Sequence, residues 1–267
     1  MMAAELIVVP YLLGREGAGM GAGPLALEAA AGEILAAERV TRIGLSSPFT
    51  NEIGACFDLN RQVALAVAAA RERRALPVVM TGNCHTQQAV VAGLGAHGLA
   101  LVWLDCHADF HTPETTASGF FDGAALAMTL GDCWTALCAT VPGFVPVPAD
   151  RVVLVGVRDL EAAERQRLDA SDVIEVGPGE VERLETVLPP AERMSLHIDL
   201  DVLDPAFGRA NRYAVAPGIS PDDLLGAVGA VTGRSELAAV TLSAYDPAFD
   251  EGGGVREAAL AVLRLVR

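Results

Sequence analysis

LALVWLDCHADFHTP, residues 99–113, is an apolar run that closes on Asp105, His107 and Asp109, spaced two apart. Side chains of an extended strand alternate faces, so these three are expected to point the same way from its end. SLHIDLDVLDP (195–205) repeats the arrangement with Asp199 and Asp201, and VVMTGNCHTQQAV (78–90) brings a further apolar run to His85. Together His85, Asp105, His107, Asp109, Asp199 and Asp201 offer nitrogen and oxygen donors without a thiolate. Such a set suits hard or borderline divalent ions such as Mn2+. Its four aspartates are enough to bridge two ions. An alternating acidic strand can instead be a solvated sheet edge. Two of them closing apolar runs, with a strand-tip histidine besides, favour the metal site.

Cys84 and Cys106 each adjoin one of these ligands. On an extended chain they face the opposite way, into the core, and only a turn at Cys84 would alter that. With Cys56, Cys133 and Cys138 the cysteines number five and form no C-x-x-C pair, so reduced thiols and a cytoplasmic setting are expected. The N-terminus, Met1–Ala3 followed by ELIVVPYLLG, carries no basic segment or cleavage signal for export. No apolar run approaches a membrane span. The formal charge is -15, with 34 Asp and Glu against 19 cationic residues, all of them Arg, which argues against a nucleic-acid partner.

Outward from the central stretch, strands and helices alternate through the 267 residues. Strands are expected at 5–12, 41–46, 78–80, 99–104, 151–159, 172–176, 195–205 and 237–245. Helices are expected at 25–38, from Asp58 to about Ala75, and at 86–97, 123–138, 161–170, 179–188, 220–231 and 254–266. Ser220 and Pro221 mark a helix start by their capping and first-turn preferences. The glycine-rich GREGAGMGAGP (15–24) has neither a dinucleotide fingerprint nor a P-loop lysine and reads as a loop. Alternating βα order without a long linker implies an α/β fold with a mainly parallel sheet in a single domain, residues 1–267. The proposed ligands then fall at strand C-terminal ends, where open α/β sheets place their sites.

The motifs GNCH (82–85), DCHAD (105–109) and SLHIDLDVLDP (195–205) resemble those of the ureohydrolase family, which comprises arginases, agmatinases and formiminoglutamases. The resemblance spans most of the chain. It implies a three-layer α/β/α sandwich and two Mn2+ ions per subunit. One ion would be held by His85, Asp105, Asp109 and Asp199, the other by His107, Asp105, Asp199 and Asp201. The implied reaction is hydrolysis of a linear C–N bond in a guanidino or amidino substrate by water activated between the metals. Asp109 would carry a proton to the leaving nitrogen. A cytoplasmic homo-oligomer, trimeric or hexameric, is implied as well.

HTPETTASG (111–119) and GVRDLEAAE (156–164) look arginase-like, which implies contacts from His111, Thr116, Ser118 and Glu161 to an amino-acid head group. The chain departs from arginases where their shuttle histidine falls on Asp122, read here as a catalytic position. It departs again where their guanidinium-binding glutamate falls on Ala244. Losing a charge partner in a dry pocket costs about 2–5 kcal/mol. Either Asp122 or Asp246 therefore replaces that glutamate, or the substrate is less basic. The HTPETT loop also resembles that of a biosynthetic Nω-hydroxy-L-arginine hydrolase, a branch with cysteine at the first metal histidine, whereas His85 reads here as retained. A formimino-amino-acid hydrolase and an inactive binding or assembly relative are the remaining alternatives.

Overall fold

The computed structural model describes residues 3–267. Met1 and Met2, where the stretch read for export signals begins, lie outside the described residues. The chain opens with β1 (Ala4–Val9), a small ribbon of β2 (Tyr11–Leu12) and β3 (Arg15–Glu16), then α1 (Ala22–Leu35) and β4 (Arg39–Arg42). It continues through α2 (Glu52–Glu72), β5 (Leu76–Thr81), α3 (Thr86–Leu94) and β6 (Leu99–Leu104). Short helices α4 (Ala125–Leu130) and α5 (Thr135–Cys138) precede β7 (Val152–Val155), α6 (Ala162–Asp169), β8 (Ile174–Val176) and α7 (Leu184–Val187). The last elements are β9 (Arg193–Asp199), α8 (Pro221–Arg234), β10 (Glu236–Ser243) and α9 (Gly254–Val266).

Eight strands form one sheet in the order β4-β1-β5-β10-β9-β6-β7-β8, and every neighbouring pair is parallel. The central strands are buried along their length because both faces are covered, which is why they read as continuous apolar runs. Strand alternation divides the core in two. Leu6, Val8, Val78, Met80, Val102 and Leu104 pack with residues of α1, α8 and α9 on one face. Ile7, Val9, Val79, Leu101 and Trp103 pack with α2, α3 and α4 on the other. The result is the three-layer α/β/α sandwich with a mainly parallel sheet. Among the described residues no helix is long and apolar enough to cross a membrane.

Several boundaries differ from the sequence reading, each for a local reason. The second helix starts at Glu52 rather than after Asp58, because Asn51 caps it by accepting a hydrogen bond from the Gly54 amide at 2.7 Å. Asp58 lies inside that helix and binds the Ser46 amide and hydroxyl instead. The helix after His85 stops at Leu94, where Gly95 adopts φ +72°. The single helix expected over 123–138 is two short ones, separated at Gly131 by a left-handed cap. Ser220 behaves as its sequence predicts, forming a reciprocal capping box with Asp223.

Two tests follow from this framework. Ser220→Ala removes the acceptor for the Asp223 amide and should destabilise the protein by about 1 kcal/mol, lowering Tm by roughly 2–4 °C in thermal melts. At the foot of β1, the Arg73 guanidinium forks onto Glu5 with two contacts of 2.6 Å and holds its carboxyl below the usual glutamate range. A depressed carboxyl stabilises the fold above its unfolded-state pKa, and that contribution fades as pH falls through the folded-state value. Melts across an acid series should therefore show a shallower acid decline for Arg73→Ala than for the parent chain. Equal slopes would assign the acid sensitivity elsewhere.

Candidate metal centre

The C-terminal ends of β5, β10, β9 and β6, the four central strands, converge on a cavity of about 640 Å³. The sheet order places β10, the last strand in sequence, between β5 and β9, so residues far apart along the chain meet there. Asp199 ends β9, while Asp105 and His107 follow directly on β6. Asp105, Cys106, His107 and Asp201 present ligand atoms all within 4.8 Å of one another. Cys84, Asp105 and Asp199 form a second group of the same compactness, and the two share Asp105.

Backbone amides fix these carboxylates. The His107 amide donates to Asp105 Oδ1 at 2.7 Å and the Asp201 amide to Asp199 Oδ1 at 2.8 Å. Trp103 Nε1 donates to Asp105 Oδ2 at 3.0 Å from the sheet interior. Burial, reinforced by the charge of Asp201, pushes the Asp105 carboxyl up to about 6. Burial and the same neighbours push Asp199 well above the usual carboxylate range. His107 lies 3.3 Å from Asp105 and 3.5 Å from Asp201. Burial alone would lower its pKa, but the two carboxylates outweigh that and raise it to about 10. Asp201 is correspondingly held low despite its burial, by His107 and by hydrogen bonds from Cys106 and Asn211. So much converging negative charge fits divalent cations, and two groups with a common carboxylate fit an adjacent pair.

His85 does not join them. The chain turns after Thr81, and His85 already has helical backbone angles (φ -57°, ψ -18°) as the residue that opens α3. Its ring packs against Phe121 with centroids 5.4 Å apart, and neither ring nitrogen has a hydrogen-bond partner. Cys84 faces the carboxylates instead, its thiol donating to Asp199 Oδ2 at 3.0 Å and lying 3.2 Å from Ser243 Oγ. The expectation that Cys84 turns into the core and His85 into the site is thus corrected. Strand alternation does not extend through 82–85, because a turn shifts the phase by one residue. Gly82 is required at that turn: a Cβ there would lie 2.3 Å from the Tyr11 carbonyl oxygen.

Asp109 is buried and lines the cavity, yet it belongs to neither compact group. The strand ends at Leu104, and Asp109 has φ +49°, a left-handed conformation uncommon outside glycine. Its carbonyl accepts from the Leu126 amide, which anchors it at the start of α4. Asp122 also lines the cavity, but one carboxylate oxygen accepts from Asn83 Nδ2 (2.8 Å) and the Cys84 amide (3.0 Å). The other accepts from the His85 amide at 2.8 Å. This residue therefore binds the turn that carries Cys84, at the N-terminal end of α3, where an anion is favoured.

His111, Thr116, Ser118 and Glu161 all line the same cavity. Thr116 and Ser118 accept hydrogen bonds from the Gly119 and Phe120 amides, which orders the loop and leaves both hydroxyls at the opening. His111 Nδ1 lies 3.2 Å from Thr115 Oγ1, and its Nε2 lies 3.6 Å from Glu164. Two residues, Glu164 and Asn211, were missed in the sequence. Glu164 is buried, accepts from the Phe110 amide at 2.8 Å, and sits one helical turn beyond Glu161, a spacing that could have revealed it. Asn211 bridges Asp201 Oδ2 and the Ala244 carbonyl from an irregular segment that carried no signal. Arg158 directs its guanidinium to the carbonyls of Gly156, Asp201, Leu203 and Val215, tying the loops behind the site together.

Comparison with known proteins agrees with this geometry. The chain matches the Arginase family over residues 4–267. It is 27% identical over 293 aligned positions to an arginase of Bacillus caldovelox, covering 98% of this chain and 97% of that one. The solved native structure of Bacillus caldovelox arginase superposes with a TM-score of 0.87 at 26% identity, over 99% of this chain and 98% of that one. An arginase of Bacillus subtilis is 31% identical over 173 positions, 60% of this chain and 58% of the relative. Formimidoylglutamase of Bacillus subtilis shares the fold, with a TM-score of 0.77 at 16% identity over 99% of this chain and 86% of that one.

The placement of Cys84 has a spectroscopic consequence. Cobalt(II) added to the chelator-treated protein should develop thiolate-to-metal charge-transfer absorption in the near ultraviolet. Cys84→Ser should abolish the band and His85→Asn should keep it. A band that survives Cys84→Ser would assign the thiolate to Cys106, the thiol of the other group, and a cobalt complex that shows no such band in the parent chain would return the ligand role to the histidine.

Proposed function

The chain belongs to the arginase family, and from that premise we propose that it is a binuclear Mn2+-dependent hydrolase of a linear C–N bond. Its substrate is a guanidino or amidino compound with an amino-acid head group. The observation that carries the reading is the pair of metal-ligand groups sharing Asp105 at the floor of an open cavity. Cys84, Asp105, Asp109 and Asp199 would hold one ion, and His107, Asp105, Asp199 and Asp201 the other. Such a pair of ions supplies positive charge that acidifies water and stabilises negative charge developing at the attacked carbon.

The protein's own groups do the rest. Water oxygen bonds to the amidino carbon, the C–N bond breaks, and the Asp109 carboxylate takes the water proton and delivers it to the leaving nitrogen. The products are an amine and urea or a urea analogue. Glu161 and Glu164 receive the head-group ammonium, while the Thr116 and Ser118 hydroxyls and the His111 side of the loop receive its carboxylate. Asp122 acts through Cys84 and His85, by holding their amides. A second reading, hydrolysis of an Nω-hydroxyguanidine in a biosynthetic pathway, is favoured by Cys84 itself. The retained histidine that set this chain apart from that branch lies outside the ligand groups, and a thiol stands among them. We read the enzyme as a cytoplasmic homo-oligomer, trimeric or hexameric, in keeping with the family resemblance.

The Mn2+-loaded protein should release an amine from at least one of L-arginine, Nω-hydroxy-L-arginine, agmatine, guanidinobutyrate and N-formimino-L-glutamate. Asp109→Asn should slow that reaction by about 10²–10⁴-fold. Turnover of hydroxyarginine ahead of arginine selects the second reading. No product from any of the five, with both metals bound, would overturn both and leave a binding role.

A further inference from the structure

The cavity is charged in an uneven way. Its floor holds Cys84, Asp109, Asp199 and Asp201 beside Ala244, which is 2% exposed, and the apolar side chains of Leu13 and Met20 also line it. Under the hydrolase reading no carboxylate of the floor is left free for a cationic substrate group. Asp199 and Asp201 belong to the metal-ligand groups, Asp109 is taken by the first ion and the proton transfer proposed above, and Asp122 already accepts from Asn83 Nδ2 and from the Cys84 and His85 amides. Asp246 does not line the cavity, and its Oδ1 accepts from the Ala248 amide at 3.0 Å. Asn211 is also spent, on Asp201, the Ala244 carbonyl and the Tyr213 amide.

The opening is the reverse. Asp159 and Glu161 have side chains 55% and 51% exposed, and Glu164 stands behind them. Among the described residues no Arg lines the cavity, and the chain has no Lys. Glu52 also lines it but is paired with Arg15 at 2.6 Å. Arg158, the neighbouring cation in sequence, has turned its donors onto backbone carbonyls.

We propose that the group hydrolysed is electrically neutral when bound, and that the far end of the substrate carries an ammonium and no net negative charge. The inference rests on the hydrolase reading above and narrows its substrate. A permanent guanidinium would meet a floor whose carboxylates are already committed to the metals, the proton transfer and the turn at Cys84, and an uncharged urea, amide or deprotonated N-hydroxyguanidine needs no counter-charge there. At the opening, carboxylates that outnumber the single His107 side chain beside Asp159 and face no Arg or Lys attract an ammonium and repel a head group of net negative charge. Substrates with two carboxylates, or with a carboxylate alone at the far end, are excluded on the same ground. An α-amino-acid head remains acceptable, since its ammonium has acidic partners and its carboxylate has the Thr116 and Ser118 hydroxyls.

Calorimetric binding to the metal-loaded protein tests both halves with ligands of one stem length. L-Citrulline should bind about tenfold or more tightly than L-arginine, which differs in the charge of its terminal group. 5-Ureidopentanoate, lacking the ammonium, should bind about tenfold more weakly than citrulline, whereas 4-ureidobutylamine, lacking the carboxylate, should stay within about threefold. Ala244→Glu should reverse the citrulline–arginine order. The ligand ratios in the parent chain stand as a test whether or not that variant folds. Arginine binding as well as citrulline, indifference to the ammonium, or no binding by any of the four would overturn the proposal. The predicted order, with no product from any of the five compounds of the activity panel, would keep the charge preference of the pocket and discard the hydrolase reading. Rapid arginine hydrolysis with tight arginine binding would do the opposite.

Discussion

Like charges buried together are the constraint from which the architecture of this protein follows. Asp105, Asp199 and Asp201 lie at the ends of neighbouring parallel strands, almost out of contact with water. Burial raises the carboxyls of Asp105 and Asp199, and the charge of Asp201 adds to that rise. A cluster of this kind is stable only if it is rigidly held and offset by positive charge. The rigidity comes from amides two residues along, which bind Asp105 and Asp199, and from the Trp103 indole reaching out of the sheet interior. Orientation of the donors is therefore fixed by backbone geometry, so little has to reorganise when a cation binds. Two ligand groups that share Asp105 fit a pair of cations as the source of that positive charge.

Most of the scaffold was legible because its signals are local. Apolar runs such as LALVWL are buried on both faces, and Ser220-Pro221 opens a helix by capping chemistry that depends on a few adjacent residues. The carboxylates were legible for the same reason, since each pair lies at a strand end. What escaped the sequence was set by contacts between distant segments. Glu164 enters the site only because α6 packs its first turn against Phe110, fifty-four residues earlier. Asn211 acts from a stretch without periodicity, held by its bonds to Asp201 and Ala244. Asp109 was read as the third member of an alternating strand, yet it reaches the cavity from a left-handed backbone conformation that alternation cannot describe.

The exchange of Cys84 for His85 shows how one distant residue can reset the reading of a motif. In GNCHT either residue could face the site, and the choice depends on where strand geometry gives way to helix. Asp122 decides it by accepting the amides of both residues together with the Asn83 side chain, and these donors bind it only if the chain has already turned. Its negative charge at the start of α3 favours that turn. The same three bonds commit the Asp122 carboxylate to that turn. Two departures from the family pattern, a thiol beside the carboxylates and no counter-charge for a guanidinium, thus meet in one side chain. With Ala244 at the floor, the Asp122 clamp both turns a softer donor, the Cys84 thiol, toward the carboxylates and commits its own carboxylate to the turn. A pocket for arginine would therefore require more than Asp122, whose carboxylate is already engaged by the turn that presents Cys84.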